Sequence, residues 1–225
     1  MRHLFDYTYE GSGTVIPDLL VNTNLQSMTS RITMQLPADN VPSDIFSRLG
    51  ADRIIYIGTP IDNNLANVIC GQLLYLSSID QEKEITLWIN SPGGDVAAGL
   101  AIYDVMKFIH PDVATVCIGT AASMAAVLLC AGAKGRRAIL PHGRVMIHQP
   151  LGEVRGPAAD MAIVMREVER RKEELYGIIA EHTGQRLENL KTDADRDFWM
   201  TAKEALSYGM VDTIVERQAF HGGNK

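Results

Sequence analysis

The chain has 225 residues, of which 46% are hydrophobic and 21% charged, the balance of a globular protein that can bury a sizeable core. Its 21 basic and 27 acidic residues give a formal net charge of −6, which argues against a surface for nucleic acid or anionic membranes. The three cysteines lie inside apolar runs and form no CxxC pair. We interpret Cys70, Cys117 and Cys130 as buried free thiols of a cytoplasmic protein.

Residues 1–46 are weakly patterned and are punctuated by glycine and proline. We interpret them as an extended N-terminal arm, with one short amphipathic piece around Ile16–Leu25. The first residues, MRHLFDYTYEGSG, lack the apolar core of a signal peptide. The remainder, residues 47–220, is expected to form the main domain.

From Asp52 onward, strand and helix patterns alternate, which predicts an α/β fold with a largely parallel sheet. The longest predicted helix, Asp160–Thr183, ends at Gly184 and carries many opposite charges at three- and four-residue spacing, as on a solvated helix face. Thr201 and Glu204 have the spacing of a capping box. The predicted strands are Arg53–Gly58, Glu84–Asn90, Val113–Gly119, Ala138–Leu140, Arg144–Gln149 and Met210–Glu216.

An uncharged run at residues 113–133 reaches the length of a membrane span, roughly 20 residues. We reject a span because Gly119, Thr120 and Ser123 interrupt the run. The first half is β-branched and the second is rich in Ala, Met and Leu, so the run predicts a buried strand followed by a buried helix, Ala122–Ala133.

Common chemical signatures are missing from the sequence. It contains no GxxxxGK[ST] or GxGxxG phosphate loop, no HExxH, and no Cys/His cluster with zinc spacing, so we expect neither a cofactor nor a metal. It also lacks GxSxG, which argues against the nucleophile elbow of the α/β-hydrolases.

Two predicted strand-to-helix turns remain as candidates. The turn Asn90–Asp95 contains two glycines that leave backbone N–H groups open for an oxyanion, although a purely conformational role is the simpler interpretation. In the turn at Gly119–Ala125, Ser123 begins an apolar helix, where its hydroxyl is either an N-cap or a sterically open nucleophile.

His148 ends the strand Arg144–Gln149 and is the one histidine that attracts a catalytic hypothesis. A catalytic imidazole needs a carboxylate to orient it. Periodicity does not choose among the four candidates near the C-terminus, which are Asp193, Asp195, Asp197 and Asp212.

Several blocks in order resemble the Clp protease proteolytic subunit family of self-compartmentalised serine peptidases. The resemblance runs from about Asp44 to Val215. It is carried by SRLGADRIIYIG, INSPGGDVAAGLAIYDVM, GTAASMAAVLLCAGAKGRR, LPHGRVMIHQPLG, EHTGQ and DADRDFWMTAKEALSYGMVD.

The resemblance implies a role for each matching residue. Ser123 matches the family nucleophile, His148 the general base and Asp197 the orienting acid, while the backbone N–H groups of Gly94 and Met124 match the oxyanion hole. The implied fold is crotonase-like, with repeated ββα units and a projecting handle at about residues 149–184.

The resemblance also implies partners. The handle stacks two heptameric rings into a tetradecamer, with Gly156, Asp195 and Arg196 matching positions of the ring–ring interface. Trp88 and Phe108 match apolar positions that dock a separate AAA+ unfoldase, although core packing explains both aromatics equally well. In the family, the N-terminal arm loses a propeptide and lines the axial pore, but its usual pattern is not recognisable in residues 1–46.

The expected function is therefore ATP-dependent proteolysis of unfolded proteins in a ring chamber, within protein quality control. Two alternatives stay open. A crotonase-type acyl-CoA enzyme would share the fold and oxyanion hole but leave Ser123 and His148 unused. A non-catalytic ring subunit would lack triad members, whereas all three are present here.

Overall fold

A computed structural model describes residues 33–34, 43–150 and 156–216. The chain divides into two units, Met1–Asp44 and Ile45–Lys225. In the first unit, β1 (Thr33–Met34) and β2 (Ser43–Asp44) pair antiparallel. The amphipathic piece predicted around Ile16–Leu25 lies outside the described residues.

The second unit alternates helices and strands, and this confirms the predicted mixed α/β class. In chain order its elements are α1 (Ile45–Ala51), β3 (Ile54–Ile57), α2 (Asn63–Ile79), β4 (Ile85–Ser91), α3 (Val96–Phe108), β5 (Val113–Ala122), α4 (Met124–Cys130), β6 (Arg137–Ile139), β7 (Arg144–Ile147), α5 (Ala158–Thr183), α6 (Leu187–Asp193), β8 (Phe198–Thr201), α7 (Ala202–Tyr208) and β9 (Thr213–Ile214).

A seven-stranded sheet organises this unit. Strands β3, β4, β5, β6 and β9 follow one another and pair in parallel, as the alternation of strands and helices predicts. β7 pairs in parallel with β5, and β8 pairs antiparallel with β7. The largely parallel sheet is thus confirmed, with one antiparallel pair that the sequence did not reveal.

β5 changes partner halfway along its length. Residues 115–117 pair with β6, whereas residues 120–122 pair with β7. The change coincides with a register shift on the other edge, between Ile89 and Ser91 of β4. Gly119 adopts a positive φ of 78° at this point. The end of β5 is thereby directed toward β7 and β8.

The core confirms the main helical predictions. Leu65, Ile69, Leu73 and Leu76, whose spacing in the sequence predicts one helical face, are buried in α2. All seven residues of α4 are buried as well. Burial of each large apolar side chain stabilises the fold by roughly 1.5–3 kcal/mol, so α4 is a firm anchor for the turn that precedes it. No helix among the described residues is long and apolar enough to cross a membrane.

α5 is the predicted long helix and ends at Gly184, which adopts the left-handed conformation. Its buried residues are Leu175, Tyr176 and Ile179, all in the C-terminal half. The N-terminal half instead exposes Ile163, Val164 and Met165. The loop before it, expected at Leu151–Ala159, lies outside the described residues up to residue 155.

Some elements differ from the sequence predictions. The capping box of α7 is confirmed, with Thr201 and Glu204 bonding reciprocally. The last strand is shorter than predicted, Thr213–Ile214 instead of Met210–Glu216. α6 and β8 were not predicted, because each is short and has no sustained hydrophobic period.

Candidate active site

Ser123 lies in a sharp turn between β5 and α4. Its φ of 54° and ψ of −124° are unusual for a residue with a side chain and cost about 1–3 kcal/mol. The Ser123 N–H donates to the Met146 carbonyl of β7 at 2.8 Å, and the Ser123 carbonyl accepts from Ala126 at 2.9 Å. The strained turn is held by the strand on one side and the buried helix on the other.

The hydroxyl of Ser123 does not cap its helix. No side-chain cap bond forms at this N-terminus, and the Oγ atom lies 2.9 Å from Nε2 of His148 instead. The capping interpretation of Ser123 is therefore wrong. Although GxSxG is absent, Ala121 and Ala125 supply the small flanking residues that a sharp strand–serine–helix turn needs.

His148 joins Ser123 to Asp197. Its Nδ1 atom is 3.0 Å from Oδ1 of Asp197, while Nε2 faces the Ser123 hydroxyl. With Asp197 ionised, Nδ1 carries the proton and donates to the carboxylate, which leaves Nε2 to accept from the hydroxyl. The His148 side chain is 14% exposed, so protein surrounds most of the ring.

β8 decides which aspartate faces the histidine. In the antiparallel ladder, Ile147 of β7 opposes Phe198 of β8, so the next position along brings His148 beside Asp197. Asp193 instead accepts from the Tyr208 hydroxyl at 2.7 Å, and Asp212 pairs with Arg137. Because β8 was not predicted, periodicity alone did not select the acid.

Each of the two strand-to-helix turns contains an open backbone N–H group among the described residues. Within the described residues, the backbone N–H groups of Gly94 and Met124 donate no hydrogen bond. Met124 is the first residue of α4, where an intrahelical acceptor is absent in any helix. The structure thus leaves both predicted oxyanion donors available.

Gly93 brings the two turns together. A Cβ atom built on Gly93 would lie 2.5 Å from the Ala122 carbonyl oxygen and 2.9 Å from the Met124 nitrogen, and its φ is 89°. Only glycine permits this approach. The sequence marked the whole turn without identifying Gly93 as the contact residue.

Sequence patterns did not single out Ser91 and Asn90, two further residues that hold the turn Asn90–Asp95 in place. The buried hydroxyl of Ser91 donates to the Thr59 carbonyl at 2.6 Å and accepts from the Gly93 N–H at 3.2 Å. The Asn90 Oδ1 atom accepts from the Thr120 N–H at 3.1 Å. A serine and an asparagine directly before a Pro-Gly-Gly turn are the available sequence signal.

Comparison with known proteins gives a family that fits this geometry. A family model described as Clp protease matches residues 37–218. The chain is 50% identical over 205 residues to an ATP-dependent Clp protease proteolytic subunit of Bacteroides fragilis strain YCH46, covering 91% of this chain and 93% of the relative. A protein of the same name from Porphyromonas gingivalis is 59% identical over 174 residues, 77% of this chain and 78% of the relative.

The chain belongs to the Clp protease family. It is therefore a serine peptidase, a class whose chemistry requires a hydroxyl nucleophile activated by a base. Among the residues of this Clp protease that the structure describes, Ser123, His148 and Asp197 form such an arrangement.

The cysteines of this Clp protease are poor rival nucleophiles. All three are free, as predicted; Cys117 and Cys130 are buried as predicted, whereas Cys70 is only half-buried. Burial raises the pKa of the Cys117 thiol and of the Cys130 thiol to about 12. Both therefore remain protonated near neutral pH, when only the thiolate is nucleophilic. No cluster of metal-ligating side chains occurs in the described ranges.

Of the three predicted interface residues, Asp195 and Arg196 lie beside the triad and Gly156 does not. Asp195 and Arg196 line a cleft of about 370 Å³ together with His148, Gln149 and Asp197. Arg196 Nε lies 3.8 Å from Asp195 Oδ2, and both side chains are exposed. Gly156 does not line this cleft. A Cβ atom at Gly156 would meet no described atom within 4 Å, so this position is open.

The two predicted docking aromatics differ in burial. Phe108 ends α3 and is 68% exposed, so core packing is the wrong explanation for it. Trp88 on β4 is half-buried, opposite Tyr56 and Val116 in the sheet. Phe108 therefore remains a candidate contact residue, and Trp88 combines packing with partial exposure.

Proposed function

We propose that the chain is the serine endopeptidase subunit of an ATP-dependent protease, and that it hydrolyses peptide bonds of unfolded proteins inside a ring chamber. The observation that carries this proposal is the continuous relay from Ser123 Oγ through His148 to Asp197, at 2.9 and 3.0 Å. Relatives at 50–59% identity are named ATP-dependent Clp protease proteolytic subunit.

The relay supports acyl transfer. His148 Nε2 takes the Ser123 proton while the hydroxyl oxygen attacks the peptide carbonyl, and the imidazolium then protonates the departing amine. The Gly94 and Met124 N–H groups stabilise the negative charge on the carbonyl oxygen, an interaction whose loss typically costs 10²–10³-fold in rate. Water reverses the sequence and releases the acyl group from Ser123. Asp197 keeps the Nδ1 proton in place throughout.

The proposed assembly consists of two stacked heptameric rings with a separate AAA+ unfoldase on top. The exposed N-terminal half of α5, with Ile163, Val164 and Met165, supports its role as the handle between rings. Gly156, Asp195 and Arg196 are proposed at this interface. Phe108 and Trp88 are proposed to receive the unfoldase. From the family resemblance we also propose the crotonase-like arrangement of ββα units. We propose in the same way that residues 1–46 contain the propeptide and the pore segment.

A cytoplasmic location belongs to the same proposal. Three free cysteines and no disulfide among the described residues suit a reducing compartment.

The test is labelling with a fluorophosphonate probe, followed by mass mapping of the modified peptide. Wild-type protein is expected to carry the label on Ser123, and His148→Ala is expected to lose it. Ser123→Ala is expected to lower peptide hydrolysis by about 10⁴-fold or more.

Ser78→Ala is the matched control, because among the described residues this exposed hydroxyl bonds only within its own helix, to the Tyr75 carbonyl. An assembled ring that takes up no label would refute the proposal and would leave either a crotonase-type acyl-CoA enzyme or a structural subunit. Label on a different serine would identify that residue, and not Ser123, as the nucleophile.

A further inference from the structure

Gln149 makes an unusual set of contacts directly behind the catalytic histidine. Its backbone N–H donates to the Ala194 carbonyl at 2.6 Å, and its side-chain Nε2 donates to the Asp195 carbonyl at 2.9 Å. One residue thus binds two consecutive carbonyls. These carbonyls belong to the segment that leads into Asp197, so Gln149 connects the backbone next to His148 with the backbone next to the acid.

This connection replaces a ladder that has ended. The last pair of the β7–β8 ladder is Ile147 with Phe198. Continued regularly, the ladder would set Gln149 opposite Arg196, but the Gln149 N–H bonds to Ala194 instead. The segment 194–197 therefore departs from the register of the ladder. The two bonds from Gln149 hold it in that arrangement.

Asp197 has little else to hold it. Its side chain is 61% exposed, and within the described residues its carboxylate accepts one hydrogen bond, from His148. The neighbouring cleft of about 370 Å³ is open to solvent beside Gln149 and Asp195. The position of this carboxylate therefore depends on the backbone on its two sides, which the β7–β8 ladder holds at Phe198 and Gln149 holds at Asp195.

The amide of Gln149 is itself oriented by the long helix. Lys172 of α5 donates from Nζ to Gln149 Oε1 at 3.2 Å, which turns Nε2 toward Asp195. Lys172 lies where α5 meets the body, one turn before the buried Leu175 and Tyr176. A shift of α5 at this point would move the lysine and release the amide.

We propose that Gln149 is a positioning residue that aligns Asp197 with His148 and that Lys172 couples this alignment to α5. The inference rests on the proposed peptidase function and adds a route by which the long helix acts on the triad. Neither residue touches substrate in this scheme, so their effect falls on turnover. A misplacement of about 1 Å in a catalytic group can cost on the order of 10²-fold in rate.

The experiment compares kcat, KM, melting temperature and oligomeric state for full-length variants with a fluorogenic peptide. Gln149→Met keeps the length of the side chain but removes its two side-chain hydrogen bonds, to Asp195 and from Lys172. We expect kcat to fall about 10- to 100-fold, with KM within about twofold of the wild-type value. Lys172→Met is expected to lower kcat by about 3- to 10-fold, and Lys172→Arg, which keeps a donor, to restore most of it.

Lys191→Met is the matched control. Lys191 also pairs with α5, through Glu173 at 2.7 Å, but it does not contact Gln149. We expect its kcat to equal that of the wild type. If it falls as far as that of Lys172→Met, the coupling is a general effect of α5 charges and the inference is overturned.

Other outcomes also decide the question. Wild-type kcat in Gln149→Met overturns the inference, and so does a loss of kcat that tracks a loss of melting temperature or of assembly. If Gln149→Met does not fold, the comparison of Lys172→Met with Lys172→Arg tests the inference. Equal kcat in these two variants contradicts the coupling from Lys172 through Gln149 to Asp197. Fluorophosphonate labelling of wild-type Ser123 separates these results from a failure of the proposed function.

Discussion

The chain uses two of its aspartates in opposite ways. Asp212 accepts hydrogen bonds from the backbone N–H groups of Gly135 and Arg137 and two more from the Arg137 guanidinium. Arg137 also donates to the carbonyls of Cys130 and His182, so one ion pair joins β6, α4, α5 and the start of β9. Asp197, by contrast, accepts one hydrogen bond from the part of the chain that the structure describes, from His148.

The contrast separates a structural carboxylate from a catalytic one. The Arg137 and Asp212 side chains are mostly buried, and each has its hydrogen-bonding capacity largely filled. The Arg137 guanidinium holds the pKa of the Asp212 carboxyl below its usual range. Asp197 must instead serve a histidine that gains and loses a proton, so its surroundings remain open and its orientation comes from neighbours such as Gln149.

The largest expected effect is that of Asp197→Asn. The amide cannot stabilise the imidazolium or select its tautomer, so we expect kcat to fall by about 10³–10⁴-fold. The melting temperature should stay within about 2 °C, because the exposed carboxylate makes a single bond. Peptide hydrolysis and thermal unfolding measure the two quantities. Asp104→Asn, an exposed carboxylate on α3, is the control, and a large loss of stability in Asp197→Asn would contradict the comparison.

Asp212→Asn should show the reverse behaviour. It leaves the buried Arg137 charge without its counter-ion, which typically costs about 3–5 kcal/mol of unfolding free energy. At low temperature, the folded fraction of Asp212→Asn should retain the fluorophosphonate reactivity of Ser123. Denaturant unfolding and labelling measure these properties. Wild-type stability in this variant would remove the distinction between the two aspartates.

Ser91→Ala tests the support of the first turn. Removal of this buried hydroxyl leaves the Gly93 N–H and the Thr59 carbonyl without their partner, at a cost of about 1–3 kcal/mol. Because Gly93 packs against Ser123 and Met124, we also expect kcat to fall about 10-fold. Kinetics and unfolding are compared with Ser78→Ala. Unchanged kcat would show that the Gly93–Gly94 backbone holds its place without Ser91.

The smallest expected effect is a pH dependence. Since the pKa of Asp212 is lowered in the folded chain, its contribution to stability is present above the unfolded-state value of about 4 and is lost as pH falls through the folded-state value. The difference in melting temperature between wild type and Asp212→Asn should therefore shrink as pH falls below about 4. Thermal unfolding from pH 6 to pH 3 measures it. A difference that stays constant to pH 3 would show that Asp212 adds no stability through its charge.

The sequence by itself determined the elements with long, regular patterns. Apolar periodicity placed α2, and the charge-free run gave β5 and α4, because a fully buried strand and helix leave no charged position. Gly184 and the capping box marked helix ends through local chemistry. The resemblance to a known family also pointed to Ser123, His148 and Asp197, although periodicity left four aspartates open as the acid.

Only the tertiary structure decided which groups meet. The short antiparallel strand β8 brings Asp197 to His148, and a strained turn and a partner change in β5 direct the Ser123 hydroxyl. The contacts of Ser91 and Gln149 join residues 32 and 46 positions apart in the chain. A local pattern records the preferences of one segment, whereas such contacts depend on how two segments pack. The chemistry of this chain was therefore readable as residue types, and its geometry was set by packing.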